Sequence, residues 1–303
     1  INGMLVLRTF GLEDYFQKKM NKAAEELGVT YTAQGPNSES DIADQVNMLN
    51  NAINKNPDGI ALAACDQNSV LGPLKTALEK KIPVVCFDSG VPDAPEGSVY
   101  ATVVTDNEQA GGIAAEHIYP AIKDKLGKGQ VRVGEVNQDA TSANISERGM
   151  GFINKFIELA KADGFTVAVV GNDFYVNQVK DNGDQASADV VLEVAVPAQT
   201  TVELCSTEAQ AILSQENCIA IFGSNQVAAE GVLAANANLN VLGSDAANGD
   251  VIGVGFDAGS IIKAAVQDGT FLGAVTQSPL MQGKISIETL AKICDGESVE
   301  DVT

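Results

Sequence analysis

In the stretch TSANISERGMGF (141–152), a single arginine, Arg148, stands where a helix is expected to begin: Met150, Ile153, Phe156 and Ile157 follow at helical spacing. A guanidinium there meets the positive end of the helix dipole, a mildly unfavourable place for it. The chain holds 19 Lys and Arg against 40 Asp and Glu, so a scarce cation in that place calls for a function. The planar fork of an arginine donates well to oxygen acceptors. Further donors and acceptors recur just past the ends of apolar runs: Arg8, Thr9 and Phe10; Asp66 and Gln67; Asp88 and Ser89; Asn137 and Gln138; Ser224 and Asn225; Asp257; and Gln277. In open parallel sheets, ligands meet the protein beyond the carboxyl ends of the strands. Carboxylates and amides repeated at those ends suit a hydroxyl-rich molecule. Polar loop composition without any ligand would give the same residues.

Catalytic constellations are missing. His117, the single histidine, falls near the end of a helical segment, where a cation caps the dipole better than it serves as a base. There is no G-x-S-x-G elbow and no Walker sequence. GVGFDAG (253–259) carries its third glycine one residue late for a dinucleotide fingerprint and lacks an opening βαβ unit. DNGDQASAD (181–189) has Gly183 where a calcium loop needs Asp or Asn. The expectation is a binding protein, not an enzyme, with no cofactor and no metal.

The elements that would position these residues alternate along the chain. Strand candidates are GMLVLRT (3–9), VTYTAQ (29–34), GIALAAC (59–65), PVVCFD (83–88) and VYATVV (99–104), then VRVGEV (131–136), FTVAVVG (165–171), VLEVAV (191–196), IAIFGS (219–224), VIGVGFD (251–257) and LGAVTQ (272–277). Helix-period stretches lie between them, such as Tyr15 to Leu27, Ile42 to Asn54 and Val70 to Lys80. Continuous apolar strands alternating with helices indicate parallel sheets covered on both faces. The strands form two series, which predicts an α/β chain of two doubly wound lobes; a closed eight-unit barrel is the alternative, against which the strand count speaks. Residues 166–196 break the rhythm: two apolar runs flank YVNQVKDNGDQASAD (175–189), read as a β-hairpin insertion in the second lobe with DNGD as its turn, or else as a polar loop.

A chain of 303 residues with 45% hydrophobic residues has enough apolar material for a full core. A net charge of −21 argues against nucleic acid and anionic membrane surfaces. No apolar run reaches the roughly 18 residues of a membrane span. The opening INGMLVLRT reads as a core strand, so any export signal is expected to have been removed ahead of it. Five cysteines, Cys65, Cys86, Cys205, Cys218 and Cys294, show no metal-type or redox spacing; Cys65 and Cys86 end apolar strands and read as small buried hydrophobes, with a disulfide framework as the alternative.

Six stretches in order, IPVVCFDSG (82–90), VVTDNEQAGGIAAEHI (103–118), TSANISERGMGF (141–152), IFGSNQVAAEGVL (221–233), GVGFD (253–257) and GAVTQSPLMQGK (273–284), resemble the type I periplasmic binding proteins, in particular the ribose-binding group of sugar ABC transporters. The resemblance implies two lobes, residues 1–105 with 279–303 and residues 106–278, joined by a multi-strand hinge. Crossovers would fall near Thr105–Asn107 and Gln277–Pro279, with a third near or beyond Thr303. It implies a monosaccharide or polyol enclosed on closure, an extracytoplasmic protein (periplasmic or lipid-anchored), a transient membrane ABC permease as partner, and a monomer. By resemblance Asp88 accepts from sugar hydroxyls, Arg148 donates to the ring oxygen and a hydroxyl, and Asn225, Asp257 and Gln277 supply the second lobe's amide, carboxylate and hinge amide. Departures are Ser89, where the group often has arginine, and Ala63, where it often has asparagine. Phe10 would cap the sugar face and Arg8 supply the charge that Ser89 lacks. A sensing receptor of the same fold, including one for an autoinducer furanose, is the alternative function. An arginine reaching into an open cleft is expected to add little to stability without ligand.

Overall fold

A computed structural model of the chain describes residues 2–6 and 21–303, with side chains from residue 21 onward. The chain divides into two compact units: unit 1 comprises Ile1–Thr105, Thr141–Asn144 and Ser278–Thr303, and unit 2 comprises Asp106–Ala140 and Ile145–Gln277.

Unit 1 is built on strands β1 (Asn2–Val6), β2 (Thr30–Gln34), β3 (Gly59–Leu62), β4 (Val84–Phe87) and β5 (Val99–Val103), all parallel in the order β2-β1-β3-β4-β5. This is one of the two common doubly wound orders. β3 and β4 are buried along their whole length because helices cover both faces. On one face, α2 (Ile42–Asn54) and α3 (Leu71–Glu79) bring Leu49, Ala52, Ile53, Leu74 and Ala77 onto Ile60, Leu62, Val84 and Cys86. On the other, helical residues 21–27 (α1) supply Ala23 and α10 (Pro279–Cys294) supplies Ile287 and Leu290, against Ala61, Ala63, Val85 and Phe87. The period of two in a strand sorts Ile60 and Leu62 from Ala61 and Ala63. Gln45 of α2 is buried; its amide donates to Ala63 O (2.8 Å) and accepts from Cys65 N (2.8 Å), tying the chain beyond β3.

Unit 2 carries β6 (Val131–Val136), β7 (Val167–Gly171), β8 (Val190–Ala195), β9 (Cys218–Gly223), β10 (Leu242–Gly243), β11 (Val251–Phe256) and β12 (Gly273–Val275). The order is β10-β11-β9-β6-β8-β7, with β12 also on β11, and every pair is parallel. Its helices are α4 (Asn107–Ile122), α5 (Ala143–Ala162), α6 (Asp173–Val176), α7 (Val202–Leu213), α8 (Gln226–Leu239) and α9 (Ser260–Gln267). One face takes Ala114, Ala115, Ile118, Phe152 and Phe156 from α4 and α5; the other takes Cys205, Ala209, Ile212, Val232, Ala235 and Ile262 from α7, α8 and α9.

Leaving out β7 and β10, the order β8-β6-β9-β11-β12 repeats unit 1, so β11 is the counterpart of β4 and β12 of β5. The segment expected as a hairpin is therefore corrected. β7 pairs parallel to β8, which no tight turn allows. The connection runs through the short α6, whose Tyr175 is buried, and then through the DNGD segment, which lies along the outer edge of β7. There the Asn182 side chain accepts from Val169 N and donates to Val169 O, both at 2.8 Å, satisfying a backbone pair that an edge strand leaves open.

Candidate functional site

Arg148 lies in the second turn of α5 and is 1% exposed, among the largest fully buried side chains of the described residues. Its Nη1 donates to Ser224 O (2.8 Å) past β9, its Nη2 donates to Asn107 Oδ1 (2.7 Å) at the start of α4, and its Cζ stands 3.6 Å from the centroid of the Phe256 ring at the end of β11. The guanidinium thus meets a carbonyl oxygen, an amide oxygen and an aromatic ring from three other segments, which offset the adverse end of its own helix dipole. The helices hold this contact because α4 and α5 touch at glycines: a Cβ on Gly111 would strike Arg148 O and Phe152 N, and one on Gly151 would strike Glu108 O. Arg148 is thus a buried cation and not a solvated surface one. The expectation that Arg148 adds little to ligand-free stability is likewise reversed by its burial and its bonds.

Next to Phe256, Asp257 takes a left-handed backbone (φ 72°). Its N–H donates to Val275 O (2.8 Å), Oδ2 accepts from Gln226 N (3.0 Å), and Oδ1 accepts from Gln277 Nε2 (3.1 Å). Asp88 in unit 1 has the same geometry: φ 59°, with its N–H donating to Val103 O (3.0 Å). The two carboxylates occupy equivalent ends of β4 and β11, each in a conformation costly for a residue with a Cβ. Asp88 Oδ2 accepts from Asn144 Nδ2 (3.2 Å). Ser89, after Asp88, is wholly buried, and its Oγ has no hydrogen-bond partner.

Asn225 caps α8, Oδ1 accepting from Ala228 N (3.0 Å), while Nδ2 donates to Gln138 Oε1. Asn137 is buried; its Nδ2 donates to Glu135 Oε1 (2.8 Å) and its Oδ1 has no partner. Glu135 is itself fully buried, and desolvation pushes its carboxyl well above the usual carboxylate range, against the Asn137 hydrogen bond that lowers it. Tyr175 belongs to the same cluster: its hydroxyl donates to Asp139 O (3.1 Å), and burial, with Glu135 and Asp139 nearby, drives its titration far up. Asp66 is half-exposed, and its Oδ1 accepts from Asn68 N (2.9 Å) and Ser69 N (2.6 Å), a turn-forming role.

Of the ten residues expected at the site, Arg8 and Phe10 lie outside the described residues. Unit 2 gathers Arg148, Asn225, Asp257 and Gln277 about the ends of β9 and β11, with Asn137 at the end of β6; unit 1 places Asp88 and Ser89 past β4 and Asp66 past β3. Sequence reasoning missed Asn107, Glu135 and Asn144. Glu135 was open to detection, since it shares a strand face with the core residue Val133 in VRVGEV. Cys65 and Cys86 are buried as expected, Cys205 and Cys218 are buried too, and burial pushes Cys86, Cys205 and Cys218 up to about 12. Among the described residues no cluster of His, Cys, Asp and Glu could hold a metal, and no helix is long and apolar enough to cross a membrane.

The chain is 24% identical over 284 residues to the ribose import binding protein of Bacillus subtilis, covering 94% of this chain and 78% of that protein. Among solved structures it matches an ABC transporter, LacI family transcriptional regulator, from Brachyspira murdochii (29% identity, TM-score 0.78, 99% of this chain and 91% of that one). It also matches an ABC transporter solute binding protein from Agrobacterium vitis with bound D-fucose (25% identity, TM-score 0.75, 99% and 92%). The profile of the periplasmic binding protein domain matches residues 5–298, and the chain belongs to that family.

Proposed function

We propose that this protein captures a monosaccharide or related polyol outside the cytoplasm and delivers it, as a monomer, to a membrane ABC permease. The observation that carries the reading is the Arg148 guanidinium, held over the ring of Phe256, the residue before Asp257, whose carboxylate accepts from Gln277. Family membership and relatives that carry ribose and D-fucose support it. A sugar hydroxyl both donates and accepts, so it suits a charged donor set next to carboxylate acceptors.

In this reading Asp88 and Ser89 of unit 1 and Arg148, Asn225, Asp257 and Gln277 of unit 2 all address one sugar. Arg148 donates to the ring oxygen and a hydroxyl, and the two aspartates accept from hydroxyls. Asn137 accepts through the oxygen that Glu135 leaves unpaired, and Asp66 through Oδ2. Arg8 and Phe10 join on the resemblance alone. A hydrogen-bonding site of this kind rejects analogues that lack a hydroxyl, because its buried polar groups are then left unpaired.

A thermal-shift panel of D-ribose, D-allose, D-fucose, D-arabinose, glucose and glycerol, followed by calorimetry on any hit, tests the reading. A ligand bound by the folded state alone raises the melting temperature by mass action, about 2.7 kcal/mol at a hundred times its Kd. No shift with any sugar or polyol at millimolar concentration overturns it.

A further inference from the structure

The guanidinium of Arg148 is held by Ser224 O on one nitrogen and by the Asn107 side chain on the other. Asn107 is 2% exposed and opens α4, directly after its capping residue Asp106, whose carboxylate accepts from Gln109 N (2.9 Å). An asparagine can turn either its oxygen or its nitrogen toward a neighbour, and only the oxygen serves a guanidinium. The sense is set from the far side: Glu147, adjacent to Arg148 on α5, accepts a hydrogen bond from the Asn107 side chain. With its nitrogen directed to a carboxylate, Asn107 presents Oδ1 to Arg148 Nη2 at 2.7 Å. The glycine contacts between α4 and α5 fix the spacing that this chain of bonds requires.

We propose that Asn107 is a positioning residue for Arg148: Glu147 fixes the sense of its amide, and the oxygen so presented sets the roll of the guanidinium plane over Phe256. The inference rests on the reading of Arg148 as a sugar donor. A planar fork donates along directions that its roll determines, so a rotated guanidinium points its hydrogens away from the oxygens they should meet. Asn107 thereby governs affinity and hydroxyl preference without being assigned any contact of its own with the sugar.

The test has two arms. In the ligand-free protein, the guanidinium nitrogen resonances of Arg148 are followed in wild type, Asn107→Leu, Asn107→Asp and Glu147→Gln. The chain has three arginines, so assignment by substituting Arg132 and Arg8 is direct. Restricted rotation, with resolved Nη signals, is expected in wild type and Asn107→Asp, and averaging in Asn107→Leu. In the second arm, calorimetry with whichever sugar of the panel binds measures Asn107→Leu, Arg148→Lys and the double variant. A ten- to hundredfold loss is expected for each single variant, with less than threefold added in the double, and Asn107→Asp is expected to recover most of the loss. If the Asn107→Leu and Arg148→Lys losses multiply, if Asn107→Asp binds as weakly as Asn107→Leu, or if Arg148 rotates equally in all variants, the positioning role is refuted. If no sugar binds wild type, the sugar reading fails while the first arm still decides whether Asn107 holds Arg148. Should Asn107→Leu fail to fold, Asn107→Ser, which is too short to reach Nη2, replaces it in both arms.

Discussion

Removing Arg148 should destabilise unit 2 even with no ligand present. Arg148→Ala deletes two charge-assisted hydrogen bonds, to Ser224 O at 2.8 Å and Asn107 Oδ1 at 2.7 Å, each worth about 1.5–3 kcal/mol. It also deletes a desolvated cation–π contact at 3.6 Å, worth about 2 kcal/mol. Against these losses stands the release of a buried charge from its desolvation, a cost of several kcal/mol. Two orphaned neutral acceptors and an empty volume remain where a fully buried side chain stood, so the net cost is about 3–5 kcal/mol, that of truncating a large buried side chain to alanine. Unit 2 contains roughly 170 residues, and for a domain of that size each kcal/mol moves the melting temperature by about 2–4 °C. Calorimetric unfolding of the ligand-free protein should therefore show a fall of about 6–20 °C for Arg148→Ala. Arg148→Lys should fall less, because an ammonium keeps the charge yet cannot reach both oxygens with one nitrogen. A change below about 2 °C for Arg148→Ala, or Lys falling further than Ala, would refute the account of Arg148 as a structural cation.

Glu135 gives a pH signature. Its folded titration point is raised, so it adds no ionisation-linked cost while the carboxyl is protonated in both states, and a growing one as pH rises through the unfolded value of about 4.3 toward the raised folded one. Melting temperatures of wild type and Glu135→Gln measured from pH 4 to 8 should diverge, the Gln variant gaining on wild type with rising pH; parallel curves would contradict this. Gly111→Ala would force α4 away from the backbone of α5 at Arg148 O, with a loss of about 1–3 kcal/mol or more in denaturant unfolding and weaker sugar binding. Asn182→Ala should speed hydrogen exchange at the Val169 amide and cost about 1–2 kcal/mol, a local effect on β7 that leaves exchange of β6 unchanged. Thiols raised to about 12 are poor nucleophiles, so Cys86, Cys205 and Cys218 should resist an aromatic disulfide reagent at pH 8 in the native protein and react once denaturant is added.

How much of this could be read from the chain depends on the range of the contacts involved. Periodicity is local: Ile42 to Asn54 announced α2, and GIALAAC and PVVCFD announced buried parallel strands, because a helix and a strand sort apolar residues by fixed repeats. The α/β class and the family followed from such repeats and from six short motifs. Strand direction after residue 171 did not follow. DNGD is a good turn signal by composition, yet Asn182 lies against the edge of β7 and β8 runs parallel, since pairing is decided by distant partners.

The site divides along the same line. By itself the sequence determined which polar residues stand past the strand ends, because a strand's length and its following loop are local matters. Tertiary structure alone decided that Arg148 is buried beneath neighbouring elements, that Asn107 and Ser224 hold its nitrogens, and that Glu135 is sealed from water. The physical reason is that burial, desolvation and hydrogen-bond pairing belong to the surroundings of a side chain. Those surroundings come from segments 41 and 76 residues away in the chain.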